Sequence, residues 1–307
     1  MNLVLDVALV LLSILALWKG ADYLVEAAAR IAHRLGISEL VIGLTVVAFG
    51  TSAPELVVSL VAGLKGQPDI SVGNVVGSNI FNLGFILGAV ALIRTVRTSR
   101  PLVYRDGLFL VGIALLLLFF LSDLHLARWE GMIMLAILIG YIVFLVLGRH
   151  AEVAEELPGG DFSRVDLFKL LGGLAATVAG GYCFVHSASD LAREFGLSEW
   201  AIGVTIVAAG TSAPELATSL MAAIRGRHGL SAGNLIGSDI FNILGVLGIA
   251  SIVSPMSLDK GAMESLYMLC GLVALVVLMM RTGWRLTRLE GALLVVINLI
   301  RWYLDMQ

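Results

Sequence analysis

The chain has 307 residues, of which 59% are hydrophobic and only 14% charged, and its mean hydropathy is +0.96. Soluble globular domains are about 45–50% apolar and about 25% charged, so a water-soluble enzyme domain, a nucleic-acid binder and a disordered chain are excluded. Twenty Lys and Arg against 23 Asp and Glu give a net charge of −3, which names no partner; only the distribution of the charges is informative.

Apolar runs fall at 4–25, 40–64, 70–93, 102–121, 129–148, 165–187, 200–224, 230–253, 262–280 and 289–305. At about 20 apolar residues per span, they predict an all-α membrane protein of ten transmembrane helices. The first run carries Asp6 and has neither a basic leader nor a small-residue cleavage site, so it is expected as a retained helix rather than a signal peptide. The 34 glycines permit close helix approach within a membrane. The one long hydrophilic stretch, 149–164 (RHAEVAEELPGGDFSR), reads as a linker between a first five-helix unit, 1–148, and a second, 165–307. Cys183 and Cys270 lie in apolar stretches and read as small packing residues. Asp22 and Asp190, near expected helix ends, read as solvated.

Lys and Arg concentrate on the cytoplasmic side of membrane proteins. Alternate loops divide the 20 basic residues into 14 on one side, among them Arg30, Arg94, Arg164, Arg225 and Arg285, and five on the other, with Lys19 left inside the first helix. The basic side includes 149–164, which makes the linker cytoplasmic and puts both termini on the non-cytoplasmic side.

Residues 41–93 align with 201–253 at a constant offset of 160 without gaps, with 26 identities in 53 positions. IGLTVVAFGTSAPELVVSL meets IGVTIVAAGTSAPELATSL, and SVGNVVGSNIFN meets SAGNLIGSDIFN. The separation spans five helices, an odd number, so the second copy must thread the membrane in the opposite direction. Inverted-topology repeats are the architecture of secondary transporters, with the site at the midplane between the halves.

Each copy carries GTSAPE in mid-span, Gly50–Glu55 and Gly210–Glu215. A charge at a helix centre costs about 2.5–3.5 kcal/mol on insertion scales, and a bound cation offsets that cost directly. Thr51, Glu55 and Ser59 recur at helical spacing with Ser52 beside them, and Thr211, Ser212, Glu215 and Ser219 repeat the arrangement. Pro54 and Pro214 have no N–H and release the carbonyls four residues back. Asn74, Ser78 and Asn82, with Asn234, Ser238 and Asn242, add amides and hydroxyls. The result is an all-oxygen set suited to a hard cation such as Ca2+, which takes about 6–8 oxygen ligands. Taken singly, the Ser, Thr and Asn residues would equally serve to join helices; the two glutamates at equivalent positions are harder to read that way. No Cys/His spacing suggests soft-metal chemistry, and no nucleophile–base set suggests an enzyme.

GTSAPE and GNxxGSxIFN, each present twice in this order, resemble the paired repeats of the cation/calcium exchanger superfamily, and the chain looks like its prokaryotic sodium/calcium exchangers. The resemblance covers nearly the whole chain. It implies Glu55 and Glu215 as central Ca2+ ligands, helped by the carbonyls of Thr51 and Thr211. It implies Na+ sites at Ser52, Ser78, Ser212 and Ser238 with the carbonyls of Ala48 and Ala208, sharing both glutamates, and Asn82 and Asn242 as the remaining central pair. The transported ions would be Ca2+ and Na+, with no cofactor, no nucleic acid, no obligatory protein partner, and the bilayer of a prokaryotic plasma (inner) membrane as the setting. The first and sixth helices would slide across a fixed core.

Such exchangers often carry an Asp where this chain has Asn242. The nearby acid here is Asp239, turned about 100° from Ser238 on a helix, where it serves either the ions or a hydrogen bond to a neighbouring helix. Glu55 and Glu215 alone give charge −2, which balances one Ca2+ or two Na+. Exchange other than three Na+ per Ca2+ is therefore expected unless Asp239 contributes. Proton- or potassium-coupled Ca2+ exchange is the alternative.

Overall fold

The structure is a computed structural model that describes residues 3–148, 163–195, 208–259 and 261–305. It is mostly helical. In chain order the helices are α1 (Leu3–Leu35), α2 (Glu39–Ile42), α3 (Ala48–Thr51), α4 (Ala53–Leu64), α5 (Pro68–Phe81), α6 (Leu87–Ile93), α7 (Leu108–Phe120) and α8 (Arg128–Leu147). They continue as α9 (Arg164–Glu194), α10 (Ala208–Thr211), α11 (Ala213–Ile224), α12 (His228–Phe241), α13 (Leu247–Val253), α14 (Ala262–Arg281) and α15 (Arg288–Asp305).

Among the described residues, seven helices are long and apolar enough to cross a membrane, and Glu39–Thr51 with Ala53–Leu64 form an eighth candidate bent by 47°. The expected last span, 289–305, is the helix α15, whose 18 residues include Arg288, Glu290, Arg301 and Asp305; these charges keep it off that count. Only part of the expected 200–224 span is described, as α10 and α11, and most of the 149–164 linker lies outside the described residues.

The first and sixth expected spans are longer than their apolar runs. Helix α1 has 33 residues and α9 has 31, which at 1.5 Å per residue is roughly 45–50 Å, well beyond the ~30 Å hydrocarbon layer. They pack along each other through small residues. A Cβ on Gly20 would lie 2.8 Å from the Gly173 carbonyl oxygen, and one on Gly180 would lie 3.2 Å from that of Ser13. Those two pairs are related by the 160-residue offset. Arg30 ties the helices at one end, 2.8 Å from Asp166 across the pair and 2.6 Å from Glu26. Asp22 lies inside α1 rather than at its end, partly exposed, and pairs with Arg225. Asp190 pairs with Arg193 at 2.7 Å.

Of four π-helical segments among the described residues, two interrupt the long central helices, at Asn82–Ile86 between α5 and α6 and at Asn242–Val246 between α12 and α13. They too are 160 residues apart. Single π-turns inside α-helices frequently mark functional sites. Around them lies the apolar core, with Leu83, Ile86, Ile243, Leu244, Leu110 and Leu266 fully buried.

Among the described residues, four short strands close the ends of the bundle. Strand β1 (Val96–Arg97) pairs antiparallel with β4 (Arg285–Leu286), and β2 (His125–Leu126) pairs with β3 (Met256–Ser257). The Pro101–Asp123 helical segment runs from β1 to β2, so the two ladders sit at opposite ends of that segment. Adding 160 to β1 gives β3, and adding 160 to β2 gives β4. Each ladder therefore joins one strand to the equivalent of a strand at the other end.

Candidate functional site

The first motif span breaks at Ser52. Its backbone (φ −81°, ψ 8°) leaves the helical region between α3 and α4, so Thr51 and Glu55 belong to two helices rather than to one continuous face. Pro54 stands in the first turn of α4, and Pro214 in that of α11. A first-turn proline loses no helical bond; the prolines thus start half-helices instead of kinking continuous ones. Glu55 and Glu215 fall in these first turns, where helix dipoles favour negative charge.

Both glutamates are completely buried, and each is held by the other half of the chain. The Ser52 hydroxyl donates to Oε1 of Glu215 at 3.0 Å, and the Ser212 hydroxyl donates to Oε1 of Glu55 at 3.1 Å. The second carboxylate oxygen, Oε2, has no hydrogen-bond partner in either residue. Ser238 reaches Glu215 Oε1 and the Ala48 carbonyl, both at 3.5 Å. Thr51 lies within 3.2 Å of Asn234 Oδ1 and 3.4 Å of Ser238 Oγ. Ser52, Ser212, Ser238, Thr51 and the Ala48 carbonyl therefore converge around the glutamates.

The supporting layer repeats with the same offset. Asn74 Nδ2 donates to Ser59 Oγ at 2.9 Å and Asn234 Nδ2 to Ser219 Oγ at 2.9 Å. Ser71 and Ser231 donate to the Ser59 and Ser219 carbonyls at 2.9 and 2.8 Å. Asn74 and Asn234, grouped by spacing with the candidate ion ligands, donate through Nδ2 to the motif helices, and Asn234 Oδ1 accepts from Thr51.

Asn82 and Asn242 open the π-turns, fully buried. Asn82 Nδ2 donates to Asp239 Oδ1 at 3.0 Å; Asn242 Nδ2 donates to Asn79 Oδ1 at 3.0 Å and to Ser78 Oγ at 3.3 Å. In each amide Oδ1 has no partner, and neither has Asp239 Oδ2. Asp239 thus makes a bond to the opposite repeat while remaining beside the central asparagines. Asn79 falls outside the helical-spacing pattern of Asn74, Ser78 and Asn82, and its one signal in the sequence is the offset of 160 that aligns it with Asp239.

Buried oxygens without partners are costly. Of nine such side-chain oxygens among the described residues, five are on Glu55, Glu215, Asn82, Asn242 and Asp239, residues that hydrogen-bond across the two repeats. All five are acceptors, the complement of a desolvated hard cation. Among the described residues, no three His, Cys, Asp or Glu side chains form a metal-binding group; the neutral amide, hydroxyl and carbonyl oxygens would have to complete the shell.

The two motif helices differ in exposure, and the segment equivalent to Leu40–Leu44, residues 200–204, lies outside the described residues. Gly233, Asn234 and Gly237 on α12 are buried, with Gly237 pressed on Leu44 and Gly233 on Leu40. The equivalent Gly73 on α5 is exposed, and Asn74 and Gly77 are half-buried. Thr51 is buried, whereas Thr211 is half-buried. Ala208 lies in α10, the counterpart of α3.

A sequence profile of the sodium/calcium exchanger protein family matches residues 5–147 and 166–303. The CaxA protein of Alkalimonas amylolytica is 40% identical over 297 residues, covering 92% of both chains. The sodium/calcium exchanger MaX1 of Methanosarcina acetivorans is 33% identical, over 93% of this chain and 94% of its own. Among solved structures, the sodium-calcium exchanger NCX_Mj soaked without Na+ and Ca2+ superposes with a TM-score of 0.86 at 31% identity, over 97% of this chain and 98% of that one.

Proposed function

The chain belongs to the sodium/calcium exchanger protein family, and from that premise we propose that it exchanges Ca2+ for Na+ across the membrane by alternating access. The observation that carries this reading is the crossed pair, Ser52 on Glu215 and Ser212 on Glu55, with a free carboxylate oxygen on each glutamate. In this reading Glu55 and Glu215 hold Ca2+ with the carbonyls of Thr51 and Thr211. Ser52, Ser78, Ser212 and Ser238, with the carbonyls of Ala48 and Ala208, serve Na+, and Asn82 and Asn242 complete the centre. An ion bound there joins both halves, which is what lets its occupancy govern their relative position.

The architecture we infer is ten transmembrane helices in two inverted five-helix repeats, 1–148 and 165–307, joined by a cytoplasmic linker at 149–164. The crosswise strand ladders support it: parallel repeats would bring β1 beside its own equivalent β3, whereas β1 pairs with β4. The setting is a prokaryotic plasma membrane with both termini on the non-cytoplasmic side. In this reading α1 and α9 slide across the rest of the bundle to switch access.

Ca2+ uptake into proteoliposomes loaded with Na+, with K+ and pH gradients varied separately, tests the proposal. Uptake that requires internal Na+ is expected. Uptake that follows a proton gradient or K+ instead overturns Na+ coupling, and uptake independent of every counter-ion overturns exchange.

A further inference from the structure

Resting on the reading just given, we propose that Asp239 is the positioning residue for both central asparagines, turning the Oδ1 of Asn82 and of Asn242 toward the ion. The two halves differ here. Asn79 and Asp239 occupy equivalent positions, but only one of them carries hydrogen-bond donors.

An asparagine side chain has two ends, a carbonyl that can bind a cation and an amide that repels one. Which end faces the ion depends on what holds the other. A carboxylate accepts and does not donate, so Asp239 Oδ1, 3.0 Å from Asn82, can take only the Nδ2 end. Asn82 Oδ1 is then left without a protein partner. Rotating this amide would set a carbonyl oxygen against a carboxylate.

The second asparagine is fixed through an additional link. The main-chain carbonyl of Asp239 accepts from Asn79 Nδ2 at 3.1 Å. A carbonyl is also acceptor-only, so Asn79 must present Oδ1 on its other side. That oxygen accepts Asn242 Nδ2 at 3.0 Å, leaving Asn242 Oδ1 without a partner. One residue, through its side chain in one direction and its backbone in the other, thus sets the polarity of two amides from opposite repeats. An asparagine at 239 could present either end to Asn82, and the first of these constraints would be lost.

Partners that orient metal ligands are typically worth about 10–100-fold in metal affinity. The test uses the full-length protein, measuring half-saturating Ca2+ for uptake into Na+-loaded proteoliposomes and Ca2+ binding to the purified protein by calcium-dependent thermal shift. Asp239→Ala is expected to weaken Ca2+ binding by about tenfold or more. The same change in an Asn82→Ala background is expected to add little, because its effect through that amide is already gone. The exchanged pair, Asn82→Asp with Asp239→Asn, rebuilds the bond with the donor on the other side and is expected to recover affinity to within about threefold, against the larger losses of the single variants.

Additive losses from Asp239→Ala and Asn82→Ala, or an unchanged Ca2+ affinity in Asp239→Ala, overturn the assignment. A folded exchanged pair that remains as weak as Asp239→Ala does so as well, and this comparison survives failure of either single variant to fold. Wild-type protein that binds Ca2+ but does not exchange it for Na+ refutes the transport reading alone, and the binding comparison still decides the role of Asp239.

Discussion

The Ser52 hydroxyl lies 3.0 Å from Oε1 of Glu215, a residue 163 positions away in the sequence, and the equivalent Ser212 lies 3.1 Å from Oε1 of Glu55. Neither half of the chain holds its own carboxylate through this serine. Each depends on the other.

Removing either carboxylate should therefore stop exchange. Glu55→Ala and Glu215→Ala are expected to abolish Na+-driven Ca2+ uptake while leaving a monodisperse, folded protein in size-exclusion chromatography. Near-normal uptake in both variants would refute the site.

The serine bonds are hydrogen bonds to charged groups, worth about 1.5–3 kcal/mol each, or roughly tenfold or more in affinity. Ser52→Ala and Ser212→Ala should each raise the half-saturating cation concentration by about that factor, and by similar amounts because the bonds are equivalent. A loss confined to one serine would show that the crossed pair does not act as a pair. Ion-concentration curves in proteoliposomes provide the measurement.

The strand ladders predict the sidedness of four residues. In a variant lacking Cys183 and Cys270, Arg97→Cys with Arg285→Cys should cross-link across the first ladder and His125→Cys with Ser257→Cys across the second, since each pair is in register. A membrane-impermeant thiol reagent added outside should block cross-linking only of the His125–Ser257 pair. Blocking of both pairs, or of the other pair alone, would rule out the proposed orientation.

The α1–α9 contact predicts a stability effect remote from the ions. A Cβ at Gly20 would meet the Gly173 carbonyl oxygen and the Thr177 backbone nitrogen, each at 2.8 Å. Gly20→Val should overpack the contact by about 1–3 kcal/mol and lower the thermal midpoint in detergent. Gly112→Ala, where an added Cβ meets nothing within 4 Å, should leave it unchanged or raised. Equal midpoints for Gly20→Val and the parent protein would show that the two helices are not tightly packed there.

By itself, the sequence determined the membrane class, the apolar runs, the 160-residue repeat and the paired GTSAPE and GNxxGSxIFN segments. These are readable because hydrophobic spans have a length set by the bilayer and because polar residues repeat where lipid disfavours them. The repeat was legible for Glu55 and Glu215 since both copies keep the same acid. It was less so for Asn79, whose partner at the offset is an acid rather than an amide.

Only the tertiary structure decided which half grips which carboxylate, that Ser52 separates two helices with Pro54 in the first turn of the second, and that α1 runs on to Leu35. It also decided what Asp239 does. Helical spacing gives the direction of a side chain relative to its own axis, and by that measure Asp239 turns away from Ser238. Whether the turn leads out of the site or into Asn82 depends on where the opposite helix stands, and helix placement is fixed by contacts between residues more than 150 positions apart. Periodicity along one segment carries no information about such distances.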